Sequence, residues 1–318
     1  MPSFALSYQR VISFAAHGAG EKRFERYAVR SNRRMKWVAA PVVLSAALVL
    51  AGCTPEQQRG FLPDGSEGAT NHTDGITGLW VTSWIVLLAV GVVTWGLIIW
   101  ATIAYRRRKG QTGLPVQLRY NMPIETFFTV VPVILVLGFF GFTAQEMSKI
   151  EQRYDAPENV VEVFGKRWSW DFNYVDEDVY FQGVQVQTDD EGEATEETMP
   201  VLYLPVDKTT EIRLETRDVI HSFWVVEFLY KKDMIPGQTN YMSFTPTKTG
   251  EFMGKCAELC GEYHSMMLFK VKVVEQAEYD AYIDSLRAAG NTGQVSAEAN
   301  PNQGHLAVDN ENAQASNE

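Results

Sequence analysis

Cysteine is scarce: Cys53, Cys256 and Cys260 are the three in 318 residues. Three cannot knit a disulfide scaffold, so each needs its own chemical reason. Basic charge is thin outside the first 52 residues. That leader holds eight Lys and Arg against two acids, which leaves 20 basic and 37 acidic groups for the rest, a net −17. Such a surface repels nucleic acid, excluding that class of partner, and suits a cationic protein. Histidine is limited to five residues, with no haem-attachment motif and no catalytic histidine cluster. No segment repeats another. Beyond residue 288 large apolar side chains almost vanish among Asn, Gln, Ala, Glu and Gly, which predicts a disordered tail over 288–318.

Aromatic residues and long apolar runs, by contrast, are plentiful. Eight Trp point to membrane interfaces or to a packed aromatic core. Residues 79–105 carry no charge in 27 positions, and at ~1.5 Å per residue they reach about 40 Å, enough to span a bilayer with some tilt. A second run, 124–144, contains one charge, Glu125, and Pro132, which a membrane helix tolerates better than a soluble one. The two runs predict a transmembrane hairpin over 79–145. Arg106, Arg107, Arg108 and Lys109 lie between them, so the positive-inside rule puts that loop in the cytoplasm and both flanks outside.

A third, shorter run over 37–51 follows Arg33, Arg34 and Lys36 and ends in Leu50-Ala51-Gly52-Cys53. A basic region, a short apolar stretch and small residues describe a secretory signal over 1–52; 15 apolar residues are short for a span of about 20. Leu-Ala-Gly-Cys also resembles the lipobox of bacterial lipoproteins, which implies lipid on Cys53. The alternatives are a third membrane helix or an ordinary signal with an incidental cysteine. A start at Met35 would give a leader of ordinary length and leave residues 1–34 untranslated. Export of whatever follows Cys53 agrees with the topology drawn from the basic loop, and makes 53–78 an exported linker.

The exported domain is expected over 146–287. Phe269, Val271 and Val273 alternate with Lys270 and Lys272, and Ile212 and Leu214 alternate with Glu211, Arg213 and Glu215. Both patterns read as half-buried antiparallel strands. Further strand candidates are 160–174, 179–187, 201–204 and 241–244, with turn signals at Pro205, Pro236-Gly237 and Thr249-Gly250. Many short strands suggest a β-sandwich or barrel. The segment 189–197, with six carboxylates in nine residues, reads as a solvated hairpin loop. Residues 277–287 read as one amphipathic helix.

Chemistry concentrates in His221 and in the stretch Cys256-Ala257-Glu258-Leu259-Cys260-Gly261-Glu262-Tyr263-His264-Ser265-Met266-Met267. Thiolate and thioether ligands select copper or zinc, and imidazole suits both. Gly254 and Gly261 would allow the tight backbone of a ligand loop. Three readings stay open on spacing: a Cys256–Cys260 disulfide in an oxidising compartment, a Cys2His2 zinc site, or copper, for which Cys, His and a weak Met ligand are the usual electron-transfer set. Zinc leaves Met267 and Glu258 unexplained. A second Cys in the same loop would let two thiolates bridge two copper ions, one His on each.

The string Cys-x-Glu-x-Cys-x3-His-x2-Met, preceded by Asp218-Val219-Ile220-His221-Ser222, closely resembles subunit II of cytochrome c oxidase (bacterial, aa3-type). The resemblance covers roughly 79–275: the helical hairpin, the run Trp168-Ser169-Trp170-Asp171-Phe172-Asn173-Tyr174, and the loop. It implies a two-helix transmembrane hairpin followed by an all-β cupredoxin-like Greek-key domain, with a dinuclear copper A centre on His221, Cys256, the Glu258 carbonyl, Cys260, His264 and Met267. Quinol-oxidising relatives lack these ligands, which implies a cytochrome c type donor. By the same resemblance Trp168 receives electrons from the donor haem. Glu125 stands at the mouth of a proton-uptake channel into subunit I, where oxygen is reduced, and the Glu258 carboxylate reaches a magnesium ion shared with that subunit. The bland alternatives are a core tryptophan and a carboxylate snorkelling to the interface; intramembrane acids are nonetheless functional candidates. Asp218, Asp171, Asp176 and Asp178 are candidates for an acidic docking face. The 189–197 insertion is similar to those of actinobacterial oxidases that dock to a bc complex carrying its own cytochrome c domain. A rival reading is a membrane-tethered copper carrier or a zinc-stabilised binding protein outside an oxidase.

Overall fold

The computed structural model describes residues 54–113 and 119–296. The expected signal segment, Cys53 and the expected tail from 297 onward lie outside the described residues. A helical turn, Pro55–Gln58, precedes two long helices, α1 (Thr73–Ala104) and α2 (Met122–Ile150). Both are long and apolar enough to cross a membrane. Their large apolar side chains, such as Val92, Trp95, Leu137 and Phe140, face outward. In lipid that is the stable arrangement, because each helix satisfies its own backbone groups. Pro132 lies within α2. Asn121 caps α2 by accepting from the Ile124 N–H at 3.4 Å, and Glu125 reaches back to accept from the Asn121 N–H at 2.9 Å. This reciprocal pair resembles a capping box and satisfies donors that no helical carbonyl can reach.

Among the described residues, ten strands form two five-stranded sheets stacked as a sandwich. One has the order β3-β2-β1-β5-β8 and the other β4-β10-β9-β6-β7. The first sheet contains β1 (Asn159–Lys166), β2 (Ser169–Tyr174), β3 (Val179–Gln182), β5 (Thr210–Thr216) and β8 (Asn240–Phe244). The second contains β4 (Val201–Pro205), β6 (His221–Val225), β7 (Tyr230–Met234), β9 (Gly250–Cys256) and β10 (Leu268–Val274). Helix α3 (Gln276–Ala288) follows and buries Tyr279, Ile283 and Leu286. Between the sheets Trp170 packs on Phe223 and Phe269, with ring centroids 5.7 and 4.9 Å away. Offset aromatic contacts of this kind add to the large area each ring buries.

Several expectations need correction. The single candidate over 160–174 is a hairpin: Lys166 pairs with Ser169, and Arg167-Trp168 form the turn. The candidate over 179–187 ends at Gln182, because Gly183 turns there to donate to Asp171 at 2.9 Å, and a Cβ at 183 would lie 2.3 Å from the Trp170 carbonyl. The sheets are mixed rather than antiparallel throughout: β5 runs parallel to β1, and β10 parallel to β4. The disordered tail expected from 288 does not hold for its first residues. Asn291 and Gly293 hydrogen-bond to Tyr180 and Asp178, and Asn173 exchanges two 3.0 Å bonds with Val295. These contacts cover the exposed edge at β3, where unpaired backbone groups would otherwise invite another strand. Within the 189–197 segment, Thr188 bridges Ala194 and Asp189 pairs with Glu193 across a short turn.

The sandwich is pinned to the helices. The Glu151 carboxylate, at the end of α2, accepts from Tyr230 Oη at 2.7 Å and from Lys232 Nζ. Arg153 meets the buried Glu211 at 2.8 and 3.0 Å and lies 3.5 Å over the Tyr241 ring. At the start of α1, His72 Nε2 lies 2.9 Å from the Ser243 carbonyl, and Asn71 Oδ1 accepts from the Thr245 N–H at 2.8 Å.

Candidate metal centre

One end of the sandwich gathers the donors. His221 opens β6, Cys256 closes β9, and those strands are neighbours, with Phe223 opposite Cys256. The chain between Cys256 and β10 therefore has to loop out and return. Its base is closed by the Cys256 N–H, which donates to the Met267 carbonyl at 3.0 Å, and by Ala257, which donates to the Ser222 carbonyl at 3.0 Å. Gly261 takes φ +124, a left-handed conformation that other residues rarely adopt. A Cβ there would also lie 3.1 Å from the Trp168 ring. Gly254 does not serve the loop as its backbone was expected to. It lies within β9, where a Cβ would fall 2.2 Å from the Phe269 ring; the strand needs close packing there, not freedom.

Within this frame Cys256 Sγ lies 3.7 Å from His221 Nδ1, 3.1 Å from the Glu258 carbonyl oxygen and 3.8 Å from Cys260 Sγ. Cys260 Sγ lies 3.5 Å from His264 Nδ1 and 3.7 Å from Met267 Sδ. The structure thus brings together all six donor residues expected from the sequence. Both cysteines are free, and a disulfide would need sulfurs about 2.05 Å apart. Cys256, Cys260, Met267 and His221 are buried, whereas Glu258 is exposed, so its carboxylate is free to face a neighbour. Donor atoms of His221, Cys256 and Cys260 lie within 4.8 Å of one another; His264 falls outside that group.

The electrostatics favour a cation. The Cys256 thiol is pushed down by the hydrogen bond from Cys260, against burial that would raise it, and the Cys260 thiol is pushed up by the same contact. Two sulfurs thus compete for one proton at a spot crowded with lone pairs. Cys256 Sγ thus has the Glu258 carbonyl oxygen, the Cys260 sulfur and His221 Nδ1 around it, a set of lone-pair donors that suits a soft cation. Burial opposes a charge on His221, but the Asp218 hydrogen bond and the Cys256 sulfur outweigh it and raise its pKa.

Asp218 was missed in this role. Its Oδ1 lies 2.8 Å from His221 Nε2, and its carboxylate also accepts from the backbone N–H of Arg167 and Val219, each at 2.7 Å. Burial would raise the Asp218 pKa; the His221 contact and the two N–H groups reverse this and lower it. A carboxylate on the far nitrogen orients the imidazole and leaves Nδ1 facing the Cys256 sulfur, an arrangement common among metal-ligating histidines. The Asp-x-x-His spacing was the available signal.

Trp168 sits beside the centre: its Nε1–H donates to the Cys260 carbonyl at 3.2 Å, and its ring packs edge-on against Tyr263 at 4.9 Å. Trp170 Nε1 donates to the Met267 carbonyl at 3.3 Å. Glu125 is remote, in the first turn of α2, whose 29 residues put it about 40 Å along the helix from the sandwich. The four candidate docking acids do not form one face. Asp171 is fully buried, 2.7 Å from Lys166 Nζ and in contact with Arg217. Asp218 is committed to His221. Asp176 and Asp178 are exposed, but in the β2–β3 turn, at the end of β2 away from Trp168.

Residues 159–274 match the family "Cytochrome C oxidase subunit II, periplasmic domain". The chain is 42% identical over 297 residues to a Streptomyces avermitilis protein named "Probable cytochrome c oxidase subunit 2", covering 84% of this chain and 93% of that one. It is 33% identical over 324 residues to cytochrome c oxidase subunit 2 of Mycobacterium bovis, covering 87% and 88%. Among solved structures, the periplasmic domain of subunit II of cytochrome oxidase from Bradyrhizobium japonicum is 30% identical, with TM-score 0.38, over 43% of this chain and 99% of that one.

Proposed function

Because the chain belongs to the cytochrome c oxidase subunit II family, we propose that it is the subunit through which electrons from cytochrome c reach the oxidase. It is a two-pass membrane protein with a periplasmic domain and part of the oxidase complex. The membrane in question is the bacterial plasma membrane. The proposed centre holds two copper ions on His221, Cys256, the Glu258 carbonyl, Cys260, His264 and Met267. The donor is cytochrome c or the cytochrome c domain of a bc complex.

The observation that carries this reading is the layout of the donors, with an imidazole on each side of a thiolate pair. At bond lengths of about 2.0–2.3 Å, two ligands of a single ion are at most ~4.6 Å apart. His264 lies outside the mutual 4.8 Å group of His221, Cys256 and Cys260, a spread wider than the ligand set of one ion, which favours a site that would hold two. Copper so bound supplies a one-electron acceptor whose charge change is spread over two metals. The protein's residues hold the donors in place beforehand: Asp218 orients His221, Trp170 fixes the Met267 carbonyl, and the buried sulfurs exclude water. Trp168, hydrogen-bonded to the loop, connects the centre to the surface. On the other side subunit I takes the electron and reduces oxygen. The exposed Glu258 carboxylate is free to bind magnesium shared with that subunit, a hard cation suited to oxygen ligands. Glu125 guides proton uptake at the cytoplasmic end, where its carboxylate also caps α2.

The test is the purified oxidase: two copper ions bound by this chain, with an EPR signal of one unpaired electron shared by both. One copper, or zinc in its place, refutes the reading and favours the carrier. For Glu125, replacement by Gln preserves the capping acceptor; turnover should drop with metal and haem content unchanged, and wild-type turnover would remove it from the proton path.

A further inference from the structure

The proposed centre is reached through Trp168, but Trp168 is not the outermost ring. Tyr263 lies on the ligand loop between Cys260 and His264 and remains 40% exposed, while Trp168 is only partly exposed. The two rings meet edge-to-face at 4.9 Å and 70°. Trp168 is confined on its other contacts: Nε1 donates to the Cys260 carbonyl, and the bare Cα of Gly261 lies where a Cβ would come 3.1 Å from the indole. Tyr263 is therefore the ring that keeps the indole against the loop. The Tyr263 hydroxyl makes no hydrogen bond among the described residues, so the ring, not the oxygen, makes the contact.

We propose that Tyr263 is a positioning residue for electron input, holding Trp168 against the Cys260 carbonyl. This rests on the reading of Trp168 given above. In the step it serves, the donor's ferrous haem iron gives up one electron and becomes ferric, and the copper centre gains that electron. No bond is made or broken, no proton moves, and Tyr263 is not oxidised.

The experiment compares Tyr263→Phe, Tyr263→Ala and Trp168→Gln in the assembled oxidase, by stopped-flow reduction with cytochrome c and by the copper absorption and EPR spectra. Tyr263→Phe keeps the ring and should behave as wild type. Tyr263→Ala frees the indole and should slow electron transfer within the docked complex about tenfold, since misplacements of ~1 Å can cost up to 10²-fold. Copper content and spectra should not change. Wild-type input in Tyr263→Ala with slow input in Trp168→Gln overturns the role of Tyr263 alone. Wild-type input in Trp168→Gln overturns the Trp168 reading beneath it. Altered copper spectra in Tyr263→Ala overturn the proposal by making Tyr263 a support of the metal loop. Equal loss in Tyr263→Phe would shift the role to the hydroxyl and likewise overturn it.

Discussion

Asp218→Asn separates two jobs that a carboxylate beside a metal loop can do. If the acid orients His221, its loss weakens metal binding; if it is a docking charge, its loss slows the donor and leaves the metal alone. The side chain is 9% exposed and its Oδ1 lies 2.8 Å from His221 Nε2. With Nδ1 turned toward Cys256, Nε2 carries the proton and donates to the carboxylate. An Asn oxygen can keep that bond, but its amide then points an N–H toward the Arg167 N–H that Asp218 accepts at 2.7 Å, so one donor is left facing another. Hydrogen bonds to a charged group contribute about 1.5–3 kcal/mol, and losing one corresponds to roughly a 10–100-fold weaker site, the range seen for such orienting partners. The assay is copper affinity by competition with a chelator of known strength, with donor association measured against salt in parallel. Copper affinity within twofold of wild type would refute the reasoning. So would an unchanged metal with a flattened salt dependence, which would return Asp218 to the surface role.

Two further outcomes follow from geometry. Gly254→Ala places a methyl 2.2 Å from the Phe269 ring, which cannot retreat because Phe223 stacks on it at 4.8 Å and Trp170 packs at 4.9 Å. Overpacking of this sort costs about 1–3 kcal/mol, so the thermal midpoint should fall by several degrees; an unchanged midpoint would show that the core yields. Burial would raise the Glu151 pKa, but the hydrogen bonds from Lys232 and Tyr230 outweigh it and leave it lowered. A carboxylate with a depressed folded pKa stabilises above its unfolded value, and that contribution is lost as pH falls through the folded value. Glu151→Gln should therefore destabilise the protein near neutrality and flatten its acid-side decline below about pH 4.5, the ordinary glutamate value. Identical pH profiles of the melting temperature would contradict the pairing.

The membrane hairpin was legible because apolar length is a property of the sequence alone: α1 begins at Thr73, six residues before the uncharged run. Strands with plain alternation, β5 and β10, were legible for the same reason. β6 was not, because four of its five residues are buried and period two disappears when both faces are covered. β7, with Lys231, Lys232 and Asp233, reads as a loop by composition; it is an edge strand, where charge discourages further pairing. In β9 the inward positions are Phe252, Gly254 and Cys256, and the small middle residue hides the pattern because Phe269 fills its space. At the site the donor residues were legible from spacing and family pattern. Asp218 was mistaken for a surface charge because sequence does not tell which acids the fold turns inward. Tyr263 escaped notice because its partner Trp168 is 95 positions away in the chain.

The clamp of Glu151, Arg153 and the α1 entrance on the sandwich has a consequence for timing. Arg153 grips Glu211 of β5 while Glu151 grips β7, so both sheets are tethered within three residues of the end of α2. A domain on a loose tether would swing, and each onward electron would wait for the right swing to recur. Fastened at both sheets, the sandwich is held to the end of α2 by two separate contacts, and both would have to break before it could swing on the helix. If the chain is the electron-entry subunit proposed above, its onward hop would then have one distance instead of a distribution of them.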